Sequence, residues 1–123
     1  MEVVYADIEL INCEDALKAQ KNSIGENEVK RMQLNVLVRP GTDILAINED
    51  IQQYMQFSVV DKREAQLADG RIVECDIVAP VEFRHKNERE FGQAIVLPEN
   101  SQPSIGSTRL HEGPIKIPYW KFV

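Results

Sequence analysis

The stretch Leu37–Ile51, L-V-R-P-G-T-D-I-L-A-I-N-E-D-I, holds a strand end, a tight turn, a buried strand and a helix start in immediate succession. In Arg39-Pro40-Gly41-Thr42 the proline fixes a negative φ at the second position and the glycine accepts a positive φ at the third, as a type II turn requires. Ile44-Leu45-Ala46-Ile47 is a short apolar run of buried-strand type. Asn48 then predicts a helix over Glu49 to Met55. Its side-chain oxygen can accept an orphan amide hydrogen, while Glu49 and Asp50 complement the positive end of the helix dipole. Upstream, Lys30 to Val38 alternates, with Met32, Leu34, Val36 and Val38 on one face, which predicts a strand entering the core.

Further out, period-two patterning dominates. Val3 to Ile11, V-V-Y-A-D-I-E-L-I, is β-branched and aromatic enough for a strand, and Asn12-Cys13-Glu14-Asp15 stops it. Ala16 to Val29 has no face apolar enough for a packed helix, so a long hairpin loop with at most one helical turn is expected there. Phe57 to Leu67 and Arg71 to Val78 flank Ala68-Asp69-Gly70, and Asp-Gly between two strand-like runs predicts a projecting hairpin. Pro80 kinks the next run and Val81 to His85 alternates again. Asn87-Glu88-Arg89 turns, and Phe91 to Leu97 reads as a largely apolar strand. Pro98 to Pro103 is loop, Ile105-Gly106 opens a short element, and a last strand is expected at Ile115 to Ile117. The expected product is one mostly β domain with many short strands and one clear helix.

Composition excludes several functions. The 123 residues, 43% hydrophobic and 28% charged, suit a single globular domain. With 20 acidic against 14 basic residues and a net charge of −6, no global field holds a polyanion, so nucleic acid is not an expected partner. No apolar run approaches the ~20 residues of a membrane span, and the N-terminus lacks a basic region followed by an apolar stretch. A cytoplasmic chain without a membrane partner is therefore expected. Cys13 and Cys75 are the only thiols and form no C-x-x-C pair, which fits a reducing compartment; Cys75, in an alternating pattern, reads as a small buried hydrophobe. His85 and His111 each lack a ligand partner at helical spacing, so no metal is expected. Neither a G-x-S-x-G nucleophile nor a phosphate loop is present, and no cofactor is expected. Lys30, Arg31, Lys62 and Arg63 are basic pairs among acids, read as solvated strand ends.

The order of these elements, with V-Y-A-D-I-E-L-I-N at Val4 to Asn12, L-V-x-x-G at Leu37 to Gly41, L-A-I-N-E-D-I at Leu45 to Ile51, L-A-D-G-R at Leu67 to Arg71, A-I-V-L-P at Ala94 to Pro98 and Ile105-Gly106, resembles the single-lobe, retropepsin-like aspartic peptidases. The resemblance implies a closed acid-protease-like β-barrel with one short helix and a flap hairpin. It also implies a symmetric homodimer whose two chains form one groove for an extended peptide. By the same resemblance Ala68, Asp69, Gly70 and Arg71 would exchange main-chain hydrogen bonds with that peptide. From the residues themselves, Asp69 reads first as a turn residue.

At the decisive position the sequence departs from the family, whose members carry Asp-Thr/Ser-Gly where this chain has Arg39-Pro40-Gly41. In the family two aspartates share a proton and activate water. A guanidinium has a pKa above ~12 and no acceptor lone pair, so it can neither take nor return that proton. Asp43 cannot restore the motif, because Ile44 and Leu45 stand where a shifted motif demands Thr or Ser and then Gly. Asp43 is read either as a turn acid or as a contact to ligand backbone. Gly41, Thr42 and Asp43 with Arg39 thus form one candidate binding set, and Ala68 to Arg71 the other, with no catalytic residue. In a family-type dimer two Arg39 side chains would approach the axis, each turning to a carboxylate such as Asp43 or sharing an anion. The expectation is an inactive homologue that keeps a peptide or anion groove. Its alternatives are a working peptidase whose carboxylate comes from a partner chain, and a purely structural module. The aromatic tail Tyr119 to Phe122 reads either as dimer surface or as packing on its own domain.

Overall fold

The computed structural model describes residues 3–67 and 69–109, with the side chain of Thr108 excepted. Strand β1 (Val4–Asn12) runs straight into helix α1 (Cys13–Gln20), and a 3-10 turn at Glu26–Glu28 leads to β2 (Arg31–Arg39). After the proline-glycine turn come β3 (Leu45–Asn48) and α2 (Glu49–Met55), then the hairpin of β4 (Val59–Gln66) and β5 (Ile72–His85). β6 (Glu88–Leu97), β7 (Ser104–Gly106) and a 3-10 turn at Ser107–Arg109 complete the described chain. The expected last strand, Ile115 to Ile117, His111 and the aromatic tail lie outside the described residues.

The strands follow the order β1-β2-β7-β3-β6-β5, and β5 returns to β1 through Glu9–Asn12 against Val81–Arg84, closing a six-stranded barrel. β4 flanks that ring on β5 alone. Inward-facing side chains of alternate residues fill the interior: Leu10, Val36, Leu45, Ile47, Val78, Val81, Phe83 and Ile105 are all essentially inaccessible, with Met55 of α2 sealing one side. A closed barrel leaves few free strand edges, so the main-chain groups of its short strands are satisfied by neighbours.

Two expectations need correction. Residues 16 to 29 are not one long loop, because the eight-residue helix α1 takes up the first five of them, through Gln20. Its signal is a cap rather than an apolar face: the Asn12 side chain accepts from the Asp15 backbone amide at 3.1 Å, and the only buried residue of the helix is Asp15. The run after Pro80 is also not a separate element. β5 runs unbroken for 14 residues, Ile72–His85, through a cis Ala79–Pro80 bond, and its register against β6 shifts between Val78 and Val81. α2 spans the expected residues, and the Asn48 side chain accepts from the Ile51 amide at 2.8 Å.

Candidate functional site

The turn that joins β2 to β3 is the crossing point of the fold. β2 and β3 are consecutive in the chain but do not pair; β7 lies between them, parallel to β2 (Val38 opposite Ile105, Arg39 opposite Gly106) and antiparallel to β3 (Leu45 opposite Ile105). The chain therefore bridges over β7, and the bridge rests on Gly106. A Cβ at Gly106 would stand 2.0 Å from the Thr42 carbonyl oxygen, and the Gly106 amide donates to the Ile44 carbonyl at 2.9 Å. Gly41 has the positive φ, +76°, that the sequence demanded, with open space around it. The Thr42 hydroxyl accepts from the Ile44 amide at 3.2 Å, which tightens the turn.

Arg39, Gly41, Thr42 and Asp43 thus come together on one exposed bridge. Arg39 does not turn to Asp43. Of the seven arginines, all described, the other six reach a carboxylate, whereas Arg39 has none within ion-pairing distance among the described residues. Each β2 neighbour explains its exposure: Val38 packs partly against the core, so Arg39 takes the outward side of the strand.

The second candidate set lies at the tip of the β4–β5 hairpin; Ala68 lies outside the described residues. Asp69 serves the turn. Its carboxylate accepts from the Arg71 amide at 3.0 Å and pairs with the Arg71 guanidinium at 2.8 Å, and these donors hold its pKa below the usual carboxylate value. The Gly70 amide donates to the Leu67 carbonyl and the Leu67 amide to the Arg71 carbonyl. The amides of Gly70 and Arg71 and the carbonyl of Arg71 are therefore engaged within the turn itself.

Sequence reasoning missed a buried ionic centre. Glu82, on a strand whose alternation predicts an outward residue, has a side chain only 4% exposed; its Oε2 accepts from Arg84 Nε at 2.9 Å and forms an ion pair with Arg89, whose Nε lies 3.0 Å away. α1 packs over this part of β5, so the outward face is itself covered. The Cys13 thiol beside it is pushed up in pKa by burial and then by the Glu82 carboxylate, and burial does the same to Cys75. Neither thiol is poised as a nucleophile. Among the described residues no group of His, Cys, Asp and Glu suits a metal ion, and no helix is long and apolar enough to cross a membrane. The chain matches no known family model, and comparison with curated proteins finds no match.

Proposed function

We propose that the chain is a catalytically silent homologue of the retropepsin-like peptidases, a homodimeric barrel that binds an extended peptide or an anionic ligand. The observation that carries this reading is the bridge over β7: its outward side chain is an arginine without an ion-pair partner among the described residues, at the position where the resemblance expects the proton-carrying acid. Three features support it. The barrel closes, β7 threads between β2 and β3, and a β4–β5 hairpin stands outside the ring.

The chemistry follows from the side chain. Arg39 cannot act as a general base, but its planar fork of N–H donors suits a carboxylate. Two copies facing each other across the bridge would bring two guanidinium groups together, a repulsion that an anion between them removes. Ligand binding and dimerisation are coupled on this reading, and an anionic peptide promotes association.

The test has two arms. Incubation with an unfolded protein substrate at acid and neutral pH should give no cleavage; turnover blocked by a pepstatin-type inhibitor sinks the silent reading. Light scattering should give a dimer mass that Arg39→Gln makes insensitive to an anionic peptide. A monomer with and without peptide removes the shared groove.

A further inference from the structure

We infer that the bare edge of β1 takes an extended peptide as an added strand, and that Arg39 selects a peptide that presents a carboxylate and apolar residues two positions away on one face. The inference rests on the peptide-binding reading of Arg39 above but uses a different surface from the hairpin. β1 is paired with β2 from Val4 to Ile11, yet with β5 only from Glu9 to Asn12. From Val4 to Ile8 its second edge has no strand beside it among the described residues.

The direction of that edge is readable. The His85 ring nitrogen Nδ1 sits 3.3 Å from the Asp7 carbonyl, so the main-chain groups of Asp7 point to the open side. In an antiparallel ladder these groups alternate with period two, so the N–H and C=O of Tyr5 point there as well. Among the described residues no main-chain partner is found for them on that side. The two outer edges of the molecule differ in chemistry. β4 carries Asp61-Lys62-Arg63-Glu64, the charged dressing that discourages strand addition, whereas Val3 to Ala6 carries no charge. Val3 is 66% exposed, and Val4 and Tyr5 are each 52% exposed.

The occupant is set by the charge on the same face. Tyr5 stands opposite Leu37, so Val3, Tyr5, Leu37 and Arg39 share the outer face of β1 and β2. An added strand lays its alternate side chains on that face. Apolar ones meet Val3 and Tyr5, and a glutamate reaching over Val3 meets Arg39, which has no ion-pair partner among the described residues.

The probe is acetyl-Val-Thr-Glu-Thr-Val-amide, whose two valines and glutamate share one face of the added strand, against its glutamine counterpart, followed by amide shifts and hydrogen exchange. The glutamate peptide should slow exchange of the Tyr5 amide and bind about tenfold more tightly than the glutamine peptide, the scale of one charge-assisted pair. Arg39→Gln should abolish that preference while leaving the fold intact. Equal binding of both peptides overturns the selection by Arg39. Protection confined to β4 and β5 overturns the edge and leaves the groove reading standing; no binding anywhere overturns both. A Tyr5 amide already protected in the free protein, at low concentration through residues 110–123 or at high concentration through a second copy, also overturns the proposal.

Discussion

Gly41 lies in the bridge and Gly106 beneath it, and they are glycines for different reasons, which separates their mutants. At Gly106 an added methyl group meets the backbone of Thr42, so either β7 or the bridge must move. Gly106→Ala should cost about 3 kcal/mol and disturb the amide shifts of β2, β3 and β7 together. At Gly41 space is open and only the positive φ resists, so Gly41→Ala should cost roughly 1–2 kcal/mol with changes confined to the turn. Denaturant melts of both variants check the order. Equal costs would mean that the bridge does not rest on β7. At the hairpin tip Asp69 titrates below the ordinary carboxylate value because the Arg71 amide and guanidinium hold its charged form. Its contribution is present above the unfolded carboxylate value of ~4 and is lost as pH falls through the lower folded value. Carboxyl-carbon NMR should find that depressed midpoint, and Arg71→Gln should move it upward.

Both helices start on asparagine, and the two caps do unequal work. Asn48 accepts from the Ile51 amide and donates to the Ser101 carbonyl, whereas Asn12, 3% exposed, accepts from the Asp15 amide and donates to the buried Met55 carbonyl at 2.8 Å. Asn48→Ala should cost about 1 kcal/mol. Asn12→Ala also strands a buried acceptor at the end of α2 and should cost about 2–3 kcal/mol, measured in the same thermal melts. This pair marks where the sequence was readable. Asn48 is announced by its neighbours: an apolar strand before it, two acids after it and an apolar helix face beyond. Asn12 is tied to Met55, 43 residues away, and α1 buries only an aspartate, so hydrophobic periodicity passes over it. Glu82 was illegible for the same reason: alternation gives the face a residue occupies, not whether a helix covers that face. Gly41 and its turn were legible because backbone conformation is a local property. The pairing of Arg39 was not, since whether a guanidinium meets Asp43 depends on where β7 holds the bridge.

Over the whole molecule, stability is concentrated in the ring. Phe83, 2% exposed, lies in the central cluster beneath the Arg109 guanidinium, 4.8 Å from its ring centre. Phe83→Ala should cost about 3–5 kcal/mol and lower the melting of every strand at once, as loss from a single cooperative core does. Far-UV and near-UV transitions that stay coincident check this; a split would mean that the barrel is not one unit. β4 stands apart from that cooperativity. Its residues are exposed along nearly their whole length and none belongs to the central cluster, yet its partner β5 runs on without a break into the barrel wall. Tension applied at the hairpin tip would therefore meet two mechanical regimes in series. The outer strand peels away one rung at a time against little resistance, and the load then arrives lengthwise on the seams that β5 makes with β1 and β6, where rungs must fail together. Anything that tugs on the tip is felt first as slack and then as a locked wall.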